Sequence, residues 1–199
     1  MKFMPALLFA ALGFSAISCN RKAKEKPVVN IMPCKLAAEK TRLAVGEVPR
    51  LKVTITNSLK RDIYLIKVLD GSDVRWRMPH CYFTISGPVN ESDADARCGN
   101  MNGLKITDFV PVKAGETFDP YQAGLDDNGF LRDYTTGSKE NFGTPGRYVI
   151  QFHYSTNSPR LDDFQGDGIN ENDSAGIHAL FDKTPKMELA SNKIELTFE

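Results

Sequence analysis

Several absences narrow the reading before any motif is considered. The chain has four cysteines, one tryptophan and three histidines in 199 residues. No Cys-x-x-Cys pair occurs, so zinc-ribbon and thioredoxin-like chemistry has no support. His80, His153 and His178 are scattered, with no ligand spacing such as His-x-x-x-His. Neither sign of charge is in excess. The 25 basic and 25 acidic residues cancel, which leaves no basic field for nucleic acid. Beyond the first residues no apolar run approaches the roughly 20 that a membrane-spanning helix needs. There is no Gly-x-Ser-x-Gly elbow, no His-Glu-x-x-His and no Gly-Lys-Ser/Thr phosphate loop. Internal repeats are not evident. Carboxylates are plentiful, but nothing marks out a pair for glycoside hydrolysis. The expectation is a protein that is not an enzyme, with a hydrolase as the last alternative.

What is present begins at the N-terminus. Met1-Lys2 supplies one positive charge, and Phe3 to Ile17 is apolar and small. That run is too short for a mature anchor and has the layout of a secretory signal peptide. Its boundary reads Ala16-Ile17-Ser18-Cys19. This stretch resembles the lipobox of bacterial lipoproteins, with Ala16 where leucine is usual. The resemblance covers residues 1–19 and implies cleavage after residue 18, diacylglycerol on the Cys19 sulfur and an acyl chain such as palmitate on its new amine. The other reading is an ordinary cleaved signal with a chance cysteine. Several acyl chains hold a membrane far better than one, because each buried methylene adds about 0.8 kcal/mol. Residues 19–29, "CNRKAKEKPVV", then form a basic tether. About ten extended residues reach at most about 35 Å. Its cations either meet anionic head groups, at about 1 kcal/mol each, or simply space the domain from the membrane. The implied location is the bacterial cell envelope, lipid-anchored, the outer membrane favoured over the inner, with the domain in the periplasm or at the surface.

Residues 30–199 read as one domain, long enough to bury a core. The dominant pattern is period-2 alternation in short segments, as half-buried strands require. "RLKVTIT" sets Leu51, Val53 and Ile55 on one face. "HCYFTISGP" sets Cys81, Phe83 and Ile85 inward, and "GRYVIQFHY" does the same with Tyr148, Ile150, Phe152 and Tyr154. "RDIYLIKV", "ITDFVPVKAGETFDPY" and "NKIELTFE" add further strands. At most short helices sit in loops. About seven short strands punctuated by Gly, Pro and Asn predict an all-β fold. The segments "GEVPRLKVTITN", "AGETF" and "PGRYVIQFHY" resemble immunoglobulin-like and fibronectin-like domains of bacteria. The likeness implies a single immunoglobulin-like antiparallel β-sandwich with long loops, near 87–105, 120–145 and 155–185. Gly146 and Tyr148 are similar to the tyrosine corner of those folds, although Ile150 stands where their cysteine would follow. Such a fold specifies architecture and not function.

Three groups of residues are candidates for function. The segment "DDFQGDGINENDS" spaces Asp163, Gln165, Asp167, Ile169 and Glu171 as in a calcium loop, with Gly168 at the sharp turn. Gln165 and Ser174 depart from the ideal ligand set, and a solvated acidic loop is the plainer alternative. After lipidation, Cys34, Cys81 and Cys98 remain in an oxidising compartment. Cys81–Cys98 closes a strand and loop, but Cys34 could pair with either, since spacing does not set connectivity. Lastly, Arg75, Trp76 and Arg77 stand together; Arg and Trp are common binding anchors, and such a face would stack a sugar ring or grip an acidic peptide. Against this stands a core-packed Trp76 with solvated arginines. The function expected is non-catalytic binding or structural support at the envelope, with a protein or glycan partner besides the membrane. A carbohydrate-binding module and a proteinase-inhibitor-like sandwich are the alternatives.

Overall fold

The computed structural model describes residues 32–47, 49–67, 75–88, 101–121, 142–169 and 171–199. The leader 1–18, Cys19, the tether 19–29, Cys98 and most of the 87–105 and 120–145 connections lie outside these residues. The described chain is all-β apart from short helical turns and one helix. Its strands are β1 (Cys34–Ala38), β2 (Arg42–Leu43), β3 (Leu51–Thr56), β4 (Ile63–Ile66), β5 (His80–Ser86), β6 (Phe109–Val112), β7 (Thr117–Phe118), β8 (Gly146–Ser155), β9 (Glu188–Ala190) and β10 (Ile194–Phe198). The helix α1 spans Ser174–Phe181. Among the described residues no helix is long and apolar enough to cross a membrane.

The strands form three sheets, in the orders β1-β3-β7, β2-β10-β8-β5 with β9 beside β8, and β4-β6. Pairing is antiparallel throughout, except that β2 runs parallel to β10. β6 and β7, which the sequence reads as neighbours, part company after Val112. β6 joins β4, and β7 joins β3. The parting is held by Asn57, which is fully buried. Its side-chain amide donates to the Arg61 and Val112 carbonyls at 2.9 Å each, and its oxygen accepts from the Leu59 N–H at 3.0 Å. Its own N–H donates to Glu116 and its carbonyl accepts from Gly115. A short polar side chain here replaces backbone pairing at a corner that no strand ladder can turn.

Alternation fills the core as expected. Leu36, Val53, Ile55 and Phe118 from one sheet meet Tyr148, Ile150, Phe152, Tyr154, Leu196 and Phe198 from the other in one cluster. The rings interlock: Phe142 stacks on Phe198 at 4.8 Å, and Tyr148 meets both edge-on. Asn192 ties the two sheets at their margin by accepting from the Leu36 N–H at 2.9 Å and donating to its carbonyl at 3.0 Å. A second, smaller cluster gathers Ile66, Leu104, Phe109, Leu161, Phe164, Ile177 and Phe181.

Tyr154 joins the two clusters. Its ring lies in the first, and its hydroxyl donates to the Ile66 carbonyl at 2.9 Å and accepts from the Ile66 N–H at 3.2 Å. Burial pushes this phenol well above its ordinary pKa. At the other end of β8, the Tyr148 hydroxyl donates to the Thr144 carbonyl at 2.8 Å, a half-exposed partner. The two latches are therefore unequal. Tyr154→Phe leaves a buried donor and acceptor without their partner and is expected to lower unfolding stability by about 1–3 kcal/mol. Tyr148→Phe releases a carbonyl that water can reach and is expected to cost less. Urea denaturation of both variants checks this, and equal losses would remove the argument.

Candidate functional site

The outward side of β5 and β8 carries an ordered stack. In the register, Tyr82 lies opposite His153 and Phe83 opposite Phe152. Strand geometry sends alternate residues to opposite faces, so Phe83 enters the core while Tyr82 and His153 face out. Their rings stack at 4.7 Å with an interplanar angle of 8°. The Arg75 guanidinium lies over the Tyr82 ring, 4.4 Å from its centroid. Thr84 Oγ1 sits 3.0 Å from His153 Nε2. Partial burial lowers the His153 pKa, and the nearby Arg75 charge lowers it further. Arg75 is also the one non-glycine residue of the described chain with a positive φ, at 53°. Only a sterically restricted left-handed region is open to such a residue.

Trp76 follows, with 40% of its surface exposed. The expected alternative of a core tryptophan does not hold: Tyr and Phe rings already fill the space between the sheets. Arg77 requires a correction in the other direction. It is not a surface residue but 2% exposed. Its guanidinium donates to the Phe164 carbonyl at 2.7 Å and the Asn102 carbonyl at 2.8 Å. A planar fork suits two diverging carbonyls that no strand would pair. Gly166, at φ 59°, makes room for it; a Cβ there would run into the guanidinium and the Met101 and Asn102 carbonyls. Arg77 lies 5.6 Å from the Trp76 ring, behind the exposed surface. Of the three expected binding residues, Arg75 and Trp76 are exposed and Arg77 is a buried brace.

The calcium-loop residues are placed otherwise than their spacing suggests. Leu161–Phe164 forms a 3-10 helix whose Leu161 and Phe164 enter the second cluster. The Asp163 carboxylate accepts from the Ser158 hydroxyl and lies 3.8 Å from Arg160 Nε. Gln165 turns its amide to Asp162 at 3.1 Å. Asp167 is exposed, and its N–H donates to Met101 at 2.9 Å. Ile169 bridges to Leu104, and Glu171 opens the short turn Glu171–Asp173 before α1. Among the described residues no group of three or more His, Cys, Asp or Glu side chains is disposed to hold a metal ion. The segment packs as a strap under Arg77. Cys34 is buried on β1, and burial pushes its thiol up to about 12. Cys81 is half-buried against the main core, and its expected partner Cys98 lies outside the described residues. A surface hollow of about 220 Å³ is lined by Glu39, Lys40, Leu43, Glu47 and Arg50. Its charges are matched, Lys40 to Glu47 at 3.2 Å and Arg50 to Glu39 at 3.8 Å, which leaves little to direct a ligand.

Comparison of the chain with protein-family models, curated proteins and solved structures returns no match.

Two outcomes follow from this geometry. Replacing Arg75 by Gln removes a cation beside His153, so the imidazole pKa is expected to rise toward its ordinary 6.5 while burial keeps it below. Proton NMR titration of the His153 ring reads this directly; an unchanged value would mean that the stack does not persist in solution. The sign for stability is also set. Folding lowers the pKa of a base, so the native state binds fewer protons. The His153 contribution is complete above about pH 6.5 and is lost as pH falls toward its folded value. For residues 163–171, thermal melts in EDTA and in millimolar calcium are expected to coincide. A rise with calcium that Asp167→Ala abolishes would establish the calcium loop.

Proposed function

We propose that the chain is an exported bacterial lipoprotein, acylated on Cys19 and anchored at the cell envelope, whose domain from residue 30 to 199 binds a partner without catalysing a reaction. We read the domain as an immunoglobulin-like β-sandwich. The strand orders support this, with β1-β3-β7 facing β2-β10-β8-β5 across one core. The parallel β2–β10 pair and the Tyr148 hydroxyl on Thr144 are further support.

One observation carries the binding function: Trp76 stands exposed next in the chain to Arg75, whose guanidinium lies over the Tyr82 ring. An exposed indole and a placed guanidinium are recognition groups, not an acid–base pair. The exposed indole also favours the carbohydrate-binding form of this function over the proteinase-inhibitor form, which would rest on a presented loop. The envelope is the membrane partner, through the lipid.

Expression of the full chain in a bacterium with labelled palmitate tests the anchor. Label is expected in the wild type, in the membrane fraction, and not in Cys19→Ala. Equal labelling of the variant would overturn the lipobox reading. Glycan and peptide arrays probed with wild type and Trp76→Ala test the face: retained binding by the variant would place recognition elsewhere.

A further inference from the structure

We propose that the Arg75–Trp76 face takes an acidic saccharide, a chain of sugar rings bearing carboxylates; this rests on the reading of that face as the binding surface. The argument begins with charge. Arg42, Arg50, Arg147 and Arg160 are exposed arginines that each face a carboxylate, whereas the exposed Arg61 has no ion pair among the described residues. Arg75 is exposed too, but among the described residues no carboxylate lies within ion-pair distance of it. Its guanidinium rests on a neutral ring instead. Exposed arginines usually gain modestly from a surface partner. One without a carboxylate partner among the described residues has donors to offer a ligand.

The guanidinium is also pre-positioned. Tyr82 beneath it is backed by the His153 ring across the strand pair, and His153 contacts Thr84. The residue itself is fixed by a left-handed backbone. Binding therefore requires little further ordering of a long side chain, which is a cost most surface arginines incur. Around it the outward groups of β5 and β8 are neutral and polar, Thr84 and Gln151 among them. The acid nearest in register on that side is Glu188, opposite Ser155 on β9. It is two strand spacings from β5, about 10 Å, and accepts from Asn157 at 3.3 Å.

The exposed indole, one residue on in the chain, favours a sugar as the carrier of the anion. A pyranose ring presents a face of C–H groups that lies on an aromatic ring, and a uronic acid carries its carboxylate on that same ring. A guanidinium fork accepts such a carboxylate in two parallel hydrogen bonds. An acidic peptide offers the carboxylate alone, on a flexible stem, with nothing to cover the indole.

The test uses Trp76, the only tryptophan of the chain, as its own reporter. The full chain in detergent is titrated with hexagalacturonate, with its neutral methyl ester and with hexaglutamate, following indole fluorescence. Hexagalacturonate is expected to bind about tenfold or more tightly than the ester, with affinity falling as salt rises. Arg75→Gln is expected to bring acid and ester within about twofold of each other. Equal binding of the ester by the wild type overturns the requirement for an anion while leaving the face a glycan-binding surface. Hexaglutamate binding as tightly as hexagalacturonate overturns the saccharide in favour of an acidic peptide. No response to either saccharide overturns the proposal outright, and the arrays with Trp76→Ala then decide separately whether the face binds anything. The comparison of acid with ester needs only the wild type, so it stands even if Arg75→Gln does not fold.

Discussion

Strand β8 is the constraint on which the rest of the molecule depends. It pairs with β5, β9 and β10, and its Tyr148, Ile150, Phe152 and Tyr154 are fully buried. Each such side chain contributes about 1.5–3 kcal/mol by leaving water, an upper estimate because the unfolded chain already hides some of that area. The period of two makes the arrangement all-or-none. A slip by one residue would turn Arg147, Val149, Gln151 and His153 inward and expose every one of the four. The hydroxyls at the ends reinforce that register, because each reaches a carbonyl that it meets only when the strand is correctly set.

The Tyr154 latch has a further consequence. By holding both polar groups of Ile66, it fixes the end of β4 where the second cluster begins. That cluster is built from the strap at 161–169 and from α1, and the strap in turn is anchored by Arg77. Met78 donates to the Asp163 carbonyl at 2.8 Å, so the chain that leads into β5 is bound to the strap twice within two residues. The exposed stack is thus downstream of the interior: β8 sets β5, β5 and the strap set Arg77, and Arg77 sets the chain direction at Trp76.

How much of this was legible depended on whether the signal was local. The alternation in "RLKVTIT" and "GRYVIQFHY" is a property of neighbouring residues, and it predicts the buried faces of β3 and β8 correctly. The same alternation sends His153 outward. The turn chemistry of Asn57 is likewise local. The role of Arg77 is not, because its partners are carbonyls 25 and 87 residues away, and a carbonyl has no residue-type signature. The packing role of the acidic run from Asp162 is hidden for a related reason. Its spacing suits calcium, while Leu161 and Phe164 are buried and wind the start of the segment into a 3-10 turn, a demand that the acidic pattern does not show. Trp76 was ambiguous in sequence because a lone large apolar residue fits a core as well as a surface. The core is filled by Phe142, Phe152, Phe198 and the two tyrosines, a partnership that only the packing reveals.

The placement of Trp76 and Arg75 is expensive, and the expense is concentrated. Leaving a large indole partly in water forgoes about 2 kcal/mol of burial. A side-chain-bearing residue in the left-handed region costs about 1–2 kcal/mol more. Together these take up a sizeable part of the 5–15 kcal/mol by which domains are ordinarily stable. Elsewhere in the described chain glycine supplies the other positive φ angles and most large aromatic residues fill the cores, while Val45, Met101 and Ile106 are exposed as Trp76 is. The two departures are adjacent: a left-handed Arg75 whose guanidinium lies over Tyr82, and a partly exposed Trp76. On the proposed reading, that local strain is supported by the ordered Tyr82–His153 stack beneath it, as strain at a recognition site would need to be.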